Sequence, residues 1–329
     1  MVVKQDGTVW DAGDNSYGQL GDGTTTRRRS FVKVVSGGAT AVVTGYWYSM
    51  VVKRDGSVWA AGHNSNGILG DGSQTDRHSF VKVVTSGATA VAAGDASSMV
   101  LMQDGTVWAA GSWYLSDDMF TDGFVKVVTS GGNQKVVVVA AGRQHAIIAK
   151  RDGSVWTQGV NNEGQLGSGS RTGSRKFVMV FSSGAKSVAA GDEHSIVLKQ
   201  DGSVWTAGLN GYGQLGDGSK TNSLRFKQVV SSGVKAIAAA AYYSMLLRED
   251  GSVWATGEEG SEVTFAKVVS SSVKAVAAGA THSMVLKQDG SVWVKGWNTA
   301  GQFGDGSTTD RWENIFMKVI DAPQSQNGA

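Results

Sequence analysis

The chain has 329 residues, and 30 Lys and Arg against 28 Asp and Glu leave a formal charge of +2, so no global field favours nucleic acid or an anionic membrane. Charged residues at 18% and hydrophobic ones at 41% argue for a packed core, and the absence of cysteine excludes disulfides, thiolate zinc sites and cysteine nucleophiles. Gly at 46 with one Pro points to many tight turns between short strands, no apolar run reaches the ~18 residues of a membrane span, and no charged-then-apolar leader precedes the first motif.

Along the chain, Asp-Gly-x-Val-Trp is written seven times. Its tryptophans are Trp10, Trp59, Trp108, Trp156, Trp205, Trp254 and Trp293, at intervals of 49, 49, 48, 49, 49 and 39 residues. Such a period means units that cannot bury an apolar face alone and must share it with neighbours. The first copy opens in mid-repeat, because Met1 aligns with Met50, Met99, Met245 and Met284. An apolar stretch precedes the motif six times, at 42–45, 91–94, 139–142, 188–191, 237–240 and 276–279, and its seventh counterpart would fall before Met1. The expectation is a fragment, an incomplete gene model or a ring closed with one strand absent.

The copy around Trp205 shows the elements most plainly. A short apolar strand over 187–191 is followed by a second at 195–199, a turn at Asp201-Gly202 and a third strand at 203–208. Asp-Gly between β-prone runs is a hairpin signal, with both central residues expected at positive φ. A Gly-rich loop at 210–218 and a last strand at 226–230 close the unit. The third copy replaces that loop with 112–120, and the sixth shortens it to 258–262, so the loop is dispensable for the fold. No segment keeps a helical period. The expected fold is all-β: a seven-bladed β-propeller of four-stranded antiparallel blades, one strand missing from the first or last blade, as a single domain over 1–321 with a tail at 322–329.

Gly191-Asp-Glu-His-Ser195 with Gly208-Leu-Asn-Gly-Tyr-Gly-Gln-Leu-Gly216, and Gly279-Ala-Thr-His-Ser283 with Gly296-Trp-Asn-Thr-Ala-Gly-Gln-Phe-Gly304, resemble the repeat of the regulator of chromosome condensation family. The resemblance covers the chain to about Asp321 and implies a seven-bladed propeller, but no single activity. Members include a nucleotide-exchange factor for a small GTPase, a plant ultraviolet-B photoreceptor, a secreted β-lactamase inhibitor and ubiquitin-ligase domains. The motif histidine is kept at His145, His194 and His282, whereas Tyr48, Ser97 and Tyr243 stand there in other copies. Of the places where the photoreceptor carries its sensing tryptophans, only Trp47 fits, which disfavours photoreception.

The residues themselves point away from chemistry. The seven motif tryptophans are expected to fill the space between blades. The three histidines lie on different blades without ligand spacing, and are expected to hydrogen-bond strand-end backbone. Asp22, Asp71, Asp217 and Asp305 lack the alternating carboxylates of a calcium loop and read as turn formers. No nucleophile elbow, phosphate loop or His-Glu-x-x-His is present. No enzyme, cofactor or metal is therefore expected.

What varies between copies is surface. The places after each motif glycine should ring one rim of the channel, with Tyr46, Trp47, Tyr48, Arg143, Asp192, Glu193, Tyr242 and Tyr243 as candidate partner contacts. Arg27, Arg28 and Arg29, with Trp113 and Tyr114, form a second candidate set on the loops. The leading expectation is a scaffold that binds a protein partner, within a larger assembly, with no direct nucleic-acid contact and no membrane span. The alternatives are a guanine-nucleotide exchange factor for a small GTPase, on the cluster Asp192, Glu193 and His194, and a proteinaceous enzyme inhibitor. Zero cysteines and no Asn-x-Ser/Thr sequon are compatible with cytosol, nucleus, organelle or secretion.

Overall fold

Each repeat becomes one antiparallel meander. In the second blade the strands Ala39–Thr44, Tyr48–Lys53, Val58–Gly62 and Arg77–Val84 pair in chain order, and six sheets have this four-stranded form. The first blade has three strands, Val2–Val3, Val9–Gly13 and Arg28–Val35. This computed structural model describes residues 1–112, 120–129, 132–257, 262–311 and 316–321. The seven sheets form the β-propeller expected from the repeat, with the inner strands around a central channel of about 590 Å³ lined largely by Ala and Val.

The second strand of a blade is buried along nearly its whole length, as in Tyr48–Lys53 and His194–Lys199. Neighbouring blades cover both of its faces, so it carries near-continuous apolar residues where a half-exposed strand would alternate. The core therefore lies between blades. Ile147, Ala149 and Val155 of the fourth blade pack against Ala185, Val188 and Val197 of the fifth.

The hairpin turn differs from the sequence expectation. Only its glycine has positive φ (Gly56, 73°), and outside the glycines Ser272 alone does so among the described residues, so the aspartates do not. Gly56 N–H donates to the Lys53 carbonyl at 2.9 Å, and Lys53 N–H to that of Ser57 at 2.9 Å, a turn closed by a left-handed glycine. The reason lies in the side chains. Asp55 Oδ1 accepts from Ser57 N–H at 2.9 Å and from its hydroxyl at 2.6 Å, which holds the aspartate in an Asx turn. Ser57 Oγ in turn accepts from Trp59 Nε1 at 3.0 Å. The Asp-Gly-Ser/Thr-Val-Trp signature is thus one bonded unit from turn to indole.

The indoles pack between blades, as expected, but only partly. Trp205 meets Phe181 of the preceding blade edge-on at 5.7 Å, while its outer side lies under Lys199, 4.7 Å from the ring centroid. Trp59 likewise has Lys53 at 4.2 Å and Lys82 at 5.3 Å, from the strands on either side. All seven motif tryptophans are half-buried and carry at least one such cation.

The ring closes through the loops. Each Gly-rich loop reaches onto the outer strand of the next blade: Asp22 bridges to Ser79, Asp71 to Gly123, Ser168 to Arg225 and Asp217 to Thr264. The same contact joins the last blade to the first, Asp305 to Ser30, with Gly306 N–H donating to the Arg29 carbonyl at 2.8 Å. A loop glycine lies flat against a phenylalanine of that outer strand, and a Cβ built on Gly70 would overlap the Phe124 ring.

Candidate protein-binding face

The meander places the turn after each inner strand and the Gly-rich loop on one face, and the Asp-Gly turns on the other. One asparagine organises each loop. Asn64 is fully buried; its Nδ2 donates to Asp71 Oδ1 (3.0 Å) and to the Ser73 and Thr75 carbonyls (3.0 and 3.1 Å). Its Oδ1 accepts from Leu69 N–H at 3.0 Å. Asp71 also takes the Ser73 hydroxyl (2.8 Å) and Arg77 Nε (2.6 Å), and these bonds hold its carboxyl below the usual range against its partial burial. The loop aspartates build turns, and no cluster of metal-ligating side chains occurs among the described residues.

Four blades interlock at the channel mouth. Tyr46 of the second blade reaches across to the fifth, where its hydroxyl donates to Asp192 Oδ2 at 2.5 Å. Arg143 of the fourth blade places Nε 3.4 Å from Asp95 Oδ2 of the third, and its backbone N–H donates to the Asp192 carbonyl at 3.0 Å. Burial pushes the Asp192 carboxyl up, opposed by Tyr46 and Arg143. Glu193 is pushed up by burial and then by the like charge of Glu163. Burial and the bond to Asp192 push Tyr46 far above its ordinary value, so it stays a donor.

Tyr46 and Trp47 are exposed at 39% and 43%, their rings 5.9 Å apart, and Trp47 continues to Tyr17 and His63 at 6.0 and 5.9 Å. Tyr242 packs against Tyr212, ring centroids 4.8 Å apart and tilted by 45°. Tyr48 and Tyr243 do not belong to this surface; they are 1% and 4% exposed, which corrects their expected place on the rim. Their rings turn inward and tie blades together: Tyr48 Oη donates to the Ser97 carbonyl (2.8 Å) and Tyr243 Oη to that of His282 (2.6 Å).

The histidines at the same place do the same work through a side chain. His145 Nε2 lies 2.9 Å from Ser195 Oγ of the next blade, and His194 Nε2 2.9 Å from Ser244 Oγ. Each serine donates its own proton to a carbonyl, Ser195 to Gln165 and Ser244 to Gln214, so Nε2 of each histidine is the donor. The partner is thus a neighbour's serine where backbone was expected. Burial lowers His145 to about 4 and His194 to about 3, which keeps both neutral.

Of the loop candidates, Arg28 is held by Asp22 at 2.7 Å, while Arg27 and Arg29 are exposed, with Arg27 3.5 Å from Asp14. Trp113 and Tyr114 lie outside the described residues. The sequence reading missed Tyr17, Tyr212 and Trp297, exposed at 37%, 47% and 42%. They flank the loop asparagine at places that differ between copies, and that variation is the signal that marks them.

A ring of seven antiparallel sheets, five of them tied to the next by a Gly-rich loop among the described residues, is a seven-bladed β-propeller. Sequence models of the Regulator of chromosome condensation (RCC1) repeat match residues 136–165, 185–214 and 273–302, and 152–198 and 201–247; these repeats, together with the seven-bladed fold, support an RCC1-like family. No curated protein matches the sequence. Among solved structures, the chain is similar to Prp20p of Saccharomyces cerevisiae (19% identity, 98% of this chain and 88% of that one, TM-score 0.85). It is also similar to human WBSCR16 (18% identity, 95% and 94%, TM-score 0.85), and to a chain of the complex of Kap60 with yeast RCC1 (19%, 95% and 84%, TM-score 0.84). At these identities the likeness is one of fold.

Proposed function

We propose that the chain is a non-catalytic scaffold that binds a protein partner through the face carrying the inner turns and loops. One observation carries this reading. The exposed aromatic side chains Tyr17, Tyr46, Trp47, Tyr212 and Trp297 all stand on that face, beside Arg143, Asp192 and Glu193. Exposed aromatics with charged neighbours are the residue types that dominate binding hot spots. The fold relatives bind proteins: yeast RCC1 (Prp20) binds Kap60, and Prp20p has binding properties to Gsp1p and histones. Pull-down from the native source with Tyr17, Trp47, Tyr212 and Trp297 changed to alanine tests the reading; the expected result is loss of the partner, and undiminished recovery overturns it.

A second reading, guanine-nucleotide exchange on a small GTPase, draws support from Asp192 and Glu193 on the same face and from the fold shared with Prp20p. Of the cluster expected for it, His194 is fully buried and bonded to Ser244, so only the two carboxylates face a partner. A nucleotide-release assay across small GTPases separates the readings, since a scaffold leaves the rate unchanged.

A further inference from the structure

The small formal charge of the whole chain conceals a division between its two faces. Each of the six inner strands carries a β-bulge at its second residue, where the pairing register shifts, at 40, 89, 137, 186, 235 and 274. A bulged residue is released from the ladder and re-aimed, and all six are exposed at the end of the channel where the Asp-Gly turns lie. The second and third blades place Thr40 and Thr89 there, and each hydroxyl donates to a carbonyl of the second strand, Val52 at 3.2 Å and Leu101 at 3.1 Å. The fourth blade places Val137, and the fifth, sixth and seventh place Lys186, Lys235 and Lys274.

Like charges at one place on consecutive blades repel one another, and the face does little to offset them. None of the ion pairs among the described residues includes these lysines, nor Arg54 and Arg151, which are exposed beside the turn aspartates of the second and fourth blades. The turn aspartates are already engaged. Bonds from the Ser or Thr two places on, then a lysine of the same blade, hold each of their carboxyls below its ordinary range. The remaining carboxylates of this face, among the described residues, are Glu249 and Asp321, and Asp321 pairs with Lys318 at 2.8 Å. An excess of cations is left on the Asp-Gly side.

We propose that this face docks on an anionic lipid surface. Its shape selects the occupant. The blades meet it through tight Asp-Gly turns and short links from one blade to the next, whereas the long Gly-rich loops stand on the opposite face. Its unpaired cations sit on the second, fourth, fifth, sixth and seventh blades, around a ring. A plane engages all of them together, while a duplex lying across the ring meets a strip of them. Among the described residues the face exposes no aromatic side chain to stack a base or anchor a protein; Val137, 43% exposed, is the apolar group beside the lysines. Docked in this way, the chain turns its aromatic face away from the lipid, where a protein partner can reach it.

The test is co-sedimentation of the full chain with phosphatidylcholine vesicles, with and without phosphatidylserine, at low and at raised salt. Binding is expected with phosphatidylserine alone and weakens as salt rises. Lys186→Thr with Lys235→Thr and Lys274→Thr installs the residue of the second and third blades and keeps the bulges, verified by melting temperature. This triple variant weakens binding about a hundredfold, at about fivefold per lysine. Lys220→Thr, which removes an exposed cation of the loop face, leaves binding unchanged. Equal binding to neutral vesicles, absent binding, or undiminished binding by the triple variant overturns the proposal. So does a short duplex DNA that competes more strongly than unlabelled phosphatidylserine vesicles of equal phosphate content.

Discussion

Lowering the pH from about 7.5 to about 5 should loosen the ring through its buried histidines. His145 and His194 are neutral donors between blades, with values near 4 and 3 against 6.5 unfolded. The unfolded chain takes up a proton at each as pH falls through 6.5, and the folded chain does not until about 4 or 3. Stability is therefore complete above about pH 7.5 and falls as pH drops, at about 1.4 kcal/mol per unit per histidine once below 6.5. At pH 5 each histidine has removed about 2 kcal/mol, and the pair about 4 kcal/mol, a large share of an ordinary stability of about 5–15 kcal/mol. The perturbation that isolates this effect is His145→Tyr, because Tyr243 already bonds the backbone of a following histidine from the same register place. Urea unfolding followed by tryptophan fluorescence at the two pH values measures it. The variant should lose about 2 kcal/mol less than the parent between them. Carboxylates titrate alike in both chains and cancel, so equal losses in parent and variant would refute the reasoning.

Three further expectations concern the repeat itself. Gly70→Ala should cost about 2–4 kcal/mol, since it combines a φ of 71° with overlap of the Phe124 ring, whereas Gly72→Ala, with φ 82° but open space, costs about 1 kcal/mol; thermal melts of the pair separate strain from packing. Ser57→Ala leaves Trp59 Nε1 without its acceptor and should lower stability by about 1–2 kcal/mol, read as a shift in urea midpoint. Asn64→Asp removes the Nδ2 donor with its three bonds and sets a carboxylate beside Asp71, so about 3 kcal/mol should be lost and the loop 63–76 cut faster in limited proteolysis.

Much of this architecture was legible in the residues, and the parts that were not have identifiable causes. Seven Asp-Gly-x-Val-Trp copies gave blade number and strand order because each strand is short, apolar and bounded by turn residues. Asp-Gly taken as a pair predicts positive φ at both residues, whereas Ser57 two places on decides the conformation through Asp55 Oδ1. The place of Tyr48 and Tyr243 just after the motif glycine predicts the rim; nothing local shows that the next blade offers a carbonyl to a buried hydroxyl. Loop closure onto the next blade joins groups about fifty residues apart, Asp22 with Ser79 and Asp71 with Gly123, which a reading within one copy does not reach. On the face itself, variability between copies singles out Tyr46, Trp47, Arg143 and Asp192, while Tyr17 and Tyr212 lie inside a loop whose pattern is dominated by its glycines.

Wherever the Gly-rich loop is described, the contact from loop glycine to phenylalanine runs in one direction, from a blade to its successor, and the last blade meets the first by the same rule. Such a joint is interchangeable: any unit bearing the glycine can precede any unit bearing the ring. Gene duplication within such an array lengthens or reorders it without inventing a new seam, which leaves selection free to act on the loop tips alone.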